Sequence, residues 1–525
     1  MLKRITDLPF FVLLMGISSL AMIAPAAFAL SHGHHAIARP FFYSMILFML
    51  LTTLIGFATH GQQPRRVARS HLITLVGAYL ILPILLAVPF HEAHGRTTFF
   101  DAWFEMVSDF TTTGSTLYDS PWRMNAALHL WRAIVGWMGG LFIWITAVAI
   151  LAPMNLGGFE VRNAGAPQGT VQSFVQITRV ANTSERLTRY TLQLTPLYIG
   201  LTFALWVGLS AVGERPFVAL IHAMSTMSTS GISATGGLYW ANGGVLGEIL
   251  IFAFMFFAVS RLTFSSDILA QERGRLRKDP EIQMALLLIT IVPTLLYLRH
   301  YVGVLEEHRI DGLLTGLKAL WGSVFTVMSF LTTTGFESRY WSMVADWSEL
   351  STPGLVLLGL SITGGGIATT AGGVKLLRVY ALFRHSEREL ERLIHPSSVG
   401  GSGQEARRIR RQGAQIAWVF FMLFALSIVG VLTALSLTGV QFENAIVLTV
   451  AALSTTGPLV EIAAEAPISI SGVTNEAKMV LALAMVLGRL EALAIIALLQ
   501  IIGVIYCNVR SSSFNFSYYT DSARA

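Results

Sequence analysis

DAWFEMVSDFTTTGST, residues 101–116, is a short apolar run closed by three hydroxyl residues and a glycine. The same construction returns as VALIHAMSTMSTSGIS (218–233), LWGSVFTVMSFLTTTGFE (320–337) and NAIVLTVAALSTTGPL (444–459). The glycines are Gly114, Gly231, Gly335 and Gly457, spaced by 117, 104 and 122 residues, and all twelve positions just before them are Ser or Thr. An apolar run of about 10–14 residues is too short to cross a bilayer and is expected to be re-entrant or buried. Small and hydroxyl residues also help membrane helices pack closely, which accounts for one such copy but poorly for four in one register. Internal repetition at this scale predicts four copies of one structural unit.

Full-length spans flank each short run. A crossing helix needs about 20 largely apolar residues, and candidates lie near 9–30, 41–59, 71–90, 128–152, 190–212, 244–264, 283–299, 353–384, 415–438 and 477–506. Composition agrees: 54% of residues are hydrophobic and 13% charged, against about 25% charged in soluble domains, and mean hydropathy is +0.62. The expected fold is an all-α polytopic membrane protein with four helix–pore-loop–helix repeats around one pore and two extra N-terminal transmembrane helices. Its divisions are the N-terminal helix pair (1–64), repeat 1 (65–165), repeat 2 (185–270), repeat 3 with a broken second helix (280–395), repeat 4 (405–510) and a cytoplasmic tail (511–525). The opening MLKRITDLPFFVLLMGISSLAMIAPAAFAL also has the form of a signal peptide; it is taken here as a retained first span.

The net charge of +6 would suggest nucleic acid in a soluble protein, but the basic residues lie between apolar segments and report topology instead. Arg65, Arg66 and Arg69, then Arg162, Arg179 and Arg186, then Arg273, Arg275, Arg277 and Lys278, then Arg384 through Arg411 follow the even-numbered spans. By the positive-inside rule both termini are cytoplasmic, and HPSSVGGSGQ (395–404) is a flexible connector between repeats 3 and 4. Cys507 is the one cysteine, so no internal disulfide can form.

The chemistry of the short runs follows from what irregular backbone needs at membrane depth. Its amides and carbonyls persist there only when buried in protein or facing water. A Thr-Thr-Gly strand offers carbonyl and hydroxyl oxygens as hard ligands, and glycine lets carbonyls turn toward an axis. Four such strands could replace the hydration shell of a cation, with the negative ends of four short helices favouring cations over anions. The filter residues so identified are Thr112, Thr113 and Gly114; Thr229, Ser230 and Gly231; Thr333, Thr334 and Gly335; and Thr455, Thr456 and Gly457, with potassium bound at these positions alone.

On these residues the sequence resembles the Trk/Ktr/HKT superfamily of ion-uptake proteins, over about residues 65–510 by the span count, with the first two spans similar to the extra pair of Trk-type members. TTTGS, STSGIS, TTTGF and STTGP stand where that family places its four filter strands. The resemblance implies potassium uptake through a channel-like pore across a bacterial inner membrane, K+ as the transported ion, no covalently bound cofactor, a homodimer, and a cytoplasmic nucleotide-binding regulatory subunit. Gly114 resembles potassium-preferring members, since sodium-selective plant relatives carry serine in the first filter. Ser454-Thr455-Thr456 departs from the Asn-rich stretch common before the fourth Gly-Pro.

Two features accompany the filter. SITGGGIATTAGGVKLLRV (361–379) interrupts the second helix of repeat 3, and its Gly364, Gly365, Gly366, Gly372 and Gly373 each weaken a helix by about 1 kcal/mol relative to Ala. Irregular backbone there is expected to line the water-filled path, tight helix packing being the other use of such glycines; the resemblance implies an intramembrane gate loop. Lys375 closes this loop and is assigned to the gate with it, although a lysine near a span end ordinarily snorkels to the interface. Arg489, in GRLE within the apolar run 479–502, costs about 2.5–3.5 kcal/mol at mid-helix and should face the bundle interior or the pore. The resemblance implies a gate role for it; a structural pair with Glu491 or a loop carbonyl is the other reading. Arg261 is read as an interface anchor.

Remaining signals are weaker. His32, His34 and His35 lack a carboxylate or cysteine to complete a metal site. Asp109 and Glu443 could attract cations, cap a backbone or pair with an arginine. No Walker loop or dinucleotide fingerprint is present, and no converging catalytic set, so the chain is not read as an enzyme. A cation-coupled secondary transporter, symporting sodium or protons with potassium, is the alternative; parallel rather than inverted repeats stand against it.

Overall fold

The structure is a computed structural model and describes residues 10–59, 67–152, 183–260, 279–307, 313–347, 354–395, 411–464 and 466–490. Helices α1 (Phe10–Ala21) and α2 (Ile23–Ser31) make one span, and α3 (His35–Thr59) the second. Their buried residues, among them Met15, Met22, Phe41 and Phe48, belong to the same apolar cluster as the centre of the molecule. Residues 10–31 are thus packed against the rest of the fold.

Four units follow. The first is α4 (Val67–His94), the short α5 (Phe99–Phe110) and α6 (Ala126–Thr146), which runs on through a π turn at Ala147–Leu151. The second is α7 (Thr183–Ala211), the short α8 (Pro216–Ser228) and α9 (Gly244–Met255). In the third, α10 (Pro280–Glu307) leads to α11 (Leu313–Leu331) and, after the small α12 (Trp341–Trp347), to a helix in two pieces, α13 (Gly354–Thr363) and α14 (Leu376–Ile394). The fourth is α15 (Arg411–Leu437), the short α16 (Phe442–Leu453), α17 (Leu459–Ile462) and α18 (Asn475–Leu490). Among the described residues every element is helical.

Burial inverts the arrangement of a soluble protein. The spanning windows in α15 and α7 are only 17% and 22% buried, and their outward leucines, phenylalanines and isoleucines suit lipid. The short helices are enclosed: in α5 every residue from Phe104 to Phe110 is buried, and in α16 every one from Val447 to Leu453. Their starts are locally encoded. Thr98 caps α5 by accepting the Asp101 amide at 3.1 Å while its hydroxyl bonds that carboxylate at 2.8 Å, and Pro216 stands at the first turn of α8, where a missing amide costs nothing.

Seven helices among the described residues are long and apolar enough to cross a membrane, against ten spans expected. The window at 353–384 is divided between α13 and α14, as its glycines foretell; those at 244–264 and 477–506 run into residues outside the described set, as do Arg261, Glu491 and most of the 395–404 connector. The third short run departs further. It begins at Leu313 and spans 19 residues, because nothing in LLTGLKAL stops a helix. Tight crossings hold the short helices in place: a β-carbon on Gly139 would lie 2.0 Å from the Phe110 carbonyl oxygen, and one on Gly488 2.2 Å from that of Leu453.

Candidate ion pathway

The four hydroxyl-glycine strands leave their short helices by one repeated set of bonds. Three residues before each glycine, a hydroxyl turns back onto the helix: Thr111 to the Val107 carbonyl (2.8 Å), Ser228 to Met224 (2.9 Å), Thr332 to Met328 (2.9 Å) and Ser454 to Val450 (2.7 Å). The same hydroxyl meets that of the residue two further on, at 2.8 Å for Thr113, 3.0 Å for Ser230, 3.0 Å for Thr334 and 3.2 Å for Thr456. Amides follow suit. Those of Thr113, Ser230, Thr334 and Thr456 donate to the Ser108, Ser225, Ser329 and Ala451 carbonyls at 2.8–3.0 Å. Helix ends leave carbonyls in need of donors, and here the strand supplies them through its own amides.

One backbone setting accompanies this pattern in all four copies. Thr112, Thr229, Thr333 and Thr455 have φ of 56°, 52°, 55° and 54°, a left-handed conformation that strains a β-branched residue by about 1–3 kcal/mol. Such strain persists only where the surroundings over-determine it, and it clusters at functional sites.

The strands also meet one another. A β-carbon on Gly114 would lie 1.8 Å from the Ser230 carbonyl oxygen, and one on Gly231 2.6 Å from that of Thr334 and 2.6 Å from the Pro458 ring. On Gly335 it would reach Pro458 at 2.8 Å, and on Gly457 the Ser115 amide nitrogen at 2.2 Å. Gly114, Gly231 and Gly335 have positive φ, whereas Gly457 does not. Gly457 is required by the close approach alone, and its amide donates to the Thr113 carbonyl at 2.6 Å.

Beneath the strands lies the glycine-rich segment between α13 and α14. Its two ends are stitched together, the amides of Val374, Lys375 and Leu376 donating to Ile362, Thr363 and Gly365 carbonyls at 2.9–3.0 Å. It reaches its neighbours too closely for side chains: β-carbons on Gly365 and Gly366 would lie 2.6 Å and 2.0 Å from the Ala258 and Val259 carbonyl oxygens, and on Gly372 2.2 Å from that of Ser454. Gly364 and Gly373 cross each other with φ of 71° and 76°. Ile367 donates its amide to buried Glu281 at 2.8 Å, so this irregular backbone is satisfied by protein, as membrane depth demands.

The segment is tied directly to two of the four hydroxyl-glycine strands. Gly372 donates its amide to the Thr333 hydroxyl at 2.7 Å, and Thr370 donates its hydroxyl to the Met227 carbonyl at 3.1 Å. The Thr370 carbonyl accepts from the Thr229 hydroxyl at 2.9 Å and from Arg489 Nη1 at 2.7 Å. The Thr112 and Thr455 hydroxyls, at the same position in repeats 1 and 4, are buried without a hydrogen-bond partner.

For Arg489, the loop-carbonyl bond of the structural reading is present, and because that carbonyl belongs to the glycine-rich segment the bond is compatible with a gate role as well; Glu491 lies outside the described residues. Lys375 does not snorkel: it is buried, with φ of 85°, and Nζ folds back to donate to the Ala371 carbonyl. The stitching of the loop ends holds its backbone inward, away from the interface. Asp109 pairs with Arg132 at 3.3 Å, and exposed Glu443 sits in the first turn of α16, where a carboxylate suits the helix dipole. On the far side of the filter from the loop, half-buried Glu337 lies two residues past Gly335, and burial together with the charge of Glu461 pushes its carboxyl up to about 7.

Sequence reasoning overlooked Thr370, whose role is carried by a backbone carbonyl that no side-chain pattern advertises. Glu105 and Glu281 were also overlooked. For Glu105 the available signal was the row of carboxylates at Asp101, Glu105 and Asp109, spaced to share one helix face.

A family profile, TrkH, described as Cation transport protein, matches residues 37–503. Among curated relatives, the Trk system potassium uptake protein TrkH of Vibrio parahaemolyticus is 29% identical over 500 residues, covering 93% of this chain and 96% of that protein. The protein of that name from Halomonas elongata is 30% identical over 412 residues, covering 76% and 78% respectively. Among solved structures, the crystal structure of the potassium transporter TrkH from Vibrio parahaemolyticus superposes with a TM-score of 0.74 at 25% identity, covering 95% of this chain and 99% of that one.

Proposed function

The chain belongs to the TrkH family of cation transport proteins, and from that premise we propose that it takes up potassium through a channel-like pore. The four converging strands are its filter and the 361–375 segment its gate. The observation that carries this reading is the fourfold recurrence of one strained threonine and one set of helix-to-strand bonds, meeting at mutual contact. Hard carbonyl and hydroxyl oxygens in that setting suit a dehydrated monovalent cation. Relatives named as potassium uptake proteins support the choice of ion.

Roles follow residue by residue. Thr112, Thr113, Gly114, Thr229, Ser230, Gly231, Thr333, Thr334, Gly335, Thr455, Thr456 and Gly457 line the ion path. Gly364, Gly365, Gly366, Gly372 and Gly373 give the gate its close fit, and Lys375 and Arg489 hold it. In this reading the chain sits in a bacterial plasma membrane with both termini cytoplasmic, divides at the boundaries given above, and works as a homodimer. A cytoplasmic nucleotide-binding subunit acts on α14, the helix that continues from the gate.

The test is potential-driven rubidium or potassium flux into proteoliposomes holding the purified chain, with and without sodium or a proton gradient. Flux that follows the imposed potential alone supports a pore. Flux that requires a fixed ratio of sodium or protons overturns it in favour of a coupled symporter.

Glu337 gives this pore a pH dependence. Its carboxyl, pushed up to about 7, is charged above that pH and neutral below it, and a carboxylate at the filter mouth raises local cation concentration. Potassium entry at subsaturating concentration is expected to be about twofold higher at pH 8 than at pH 6 at low ionic strength. Glu337→Gln should flatten that profile; an unchanged profile would remove Glu337 from the account.

A further inference from the structure

Behind the first filter strand lies a cluster of two buried carboxylates and an arginine. Glu105, on α5 nine residues before Gly114, is fully buried, accepts two hydrogen bonds and makes one ion pair. Arg132 of α6 approaches at 2.7 Å, the Thr116 hydroxyl at 2.8 Å and the Leu117 amide at 3.1 Å. Thr116 and Leu117 belong to the chain leaving the filter. Asp109, one turn nearer the filter, meets the same guanidinium at 3.3 Å and 3.4 Å. Between the two carboxylates, the Ser108 hydroxyl holds the Ser115 carbonyl at 2.7 Å.

The corresponding residues elsewhere give a graded series. In repeat 2 the position is His222, which makes one bond to the outgoing strand, through the Ser233 hydroxyl at 2.9 Å. In repeat 3 it is Thr326, whose hydroxyl accepts the Ser338 amide at 3.2 Å. In repeat 4 it is Leu448, which has no polar atom, and the strand turns at Pro458 into α17. The third strand is also held by a carboxylate, buried Glu248 of α9, which accepts the Ser338 hydroxyl at 3.0 Å and the Arg339 amide at 2.8 Å; the first differs in that its carboxylate stands on its own short helix and is paired with Arg132.

We propose that Glu105 is a positioning residue for ion selectivity: its clasp on Thr116 and Leu117, held in orientation by Arg132, fixes the first filter strand. The physical ground is direct. A carboxylate with three donors is tightly oriented, charge-assisted bonds are stronger than neutral ones, and a buried ion pair losing one partner leaves the other without compensation. A filter separates two ions of equal charge by how closely its oxygens keep their spacing or by their number and field. On either account a loosened strand lets the smaller ion be coordinated as well as the larger.

The proposal rests on the filter reading, and the test separates the two. Potassium-to-sodium flux ratios are measured in proteoliposomes for wild type, Glu105→Gln, Thr116→Val, Leu448→Ile and Gly114→Ser. Thr116→Val removes one strut of the clasp without touching the ion pair, so it remains informative if Glu105→Gln fails to fold. Both clasp variants are expected to lower the ratio about three- to tenfold with total flux within about twofold of wild type, and Leu448→Ile to leave it unchanged. Wild-type ratios in both clasp variants, with the ratio lost in Gly114→Ser, would overturn the proposal and leave Glu105 a structural ion-pair partner. A wild-type ratio in Gly114→Ser as well would remove the filter reading itself, and the clasp with it. A purely structural role would reduce the yield of folded protein or total flux and leave the ratio alone.

Discussion

Gly114→Ser is expected to bring the ratio of potassium to sodium flux close to unity, measured as the reversal potential across a bilayer with one ion on each side. Two penalties coincide at this position. With φ at 72°, any side chain is strained, and its β-carbon would lie 1.8 Å from the Ser230 carbonyl oxygen, a distance no real structure tolerates. The neighbouring strand cannot yield cheaply, because the Ser230 amide is tied to the Ser225 carbonyl at 3.0 Å. One or both strands must therefore move, and a filter that loses its spacing forfeits about 1.4 kcal/mol for each tenfold of discrimination. A folded Gly114→Ser protein with wild-type reversal potential would exclude this strand from the ion path.

The second large effect has the opposite sign. Arg489→Ala is expected to raise potassium flux, by about ten- to a hundredfold if the bond it removes carries the 1.5–3 kcal/mol typical of a charged hydrogen bond. Arg489 donates to the Thr370 carbonyl, the group that also receives the Thr229 hydroxyl. Its loss frees the glycine-rich segment to leave the underside of the filter and removes a fixed cation from beside the path. Arg489→Lys keeps the charge but loses the planar fork, so its flux should fall between the two. Unchanged flux in a well-folded Arg489→Ala protein would make the arginine a structural partner only.

Much of this site was legible because it is written four times. The hydroxyl-hydroxyl-hydroxyl-glycine ending is a local constraint, set by where a short helix stops and which backbone angles follow, and local constraints leave local signatures. The broken helix was legible for the same reason, since five glycines within ten residues cannot be read as a stable helix. What escaped depends on distant partners. Asp101, Glu105 and Asp109 stand four residues apart on one face of α5, yet their cations come from Lys478, 377 residues away, and from Arg132, 23 residues beyond Asp109. For Lys375 the snorkelling alternative fails, because it assumes a helix leading to the interface and the loop folds the residue inward instead. The start of α11 at Leu313 was missed because apolarity fades there while helicity does not.

In the pore proposed above, the bond from the Gly457 amide to the Thr113 carbonyl has a consequence that only a single-chain pore can exhibit. In an assembly of four identical subunits, any amide laid against a neighbour's filter carbonyl would be laid there four times, and every oxygen at that level would share its lone pairs with a proton. Here the join happens at one corner, between the first repeat and the last, where the ring of repeats closes. The ion's cage at that level is lopsided by construction, with one oxygen partly engaged and the other corners free of that bond. Covalent linkage of four diverged copies lets the fold fasten its own seam while keeping most of the cage open to the ion.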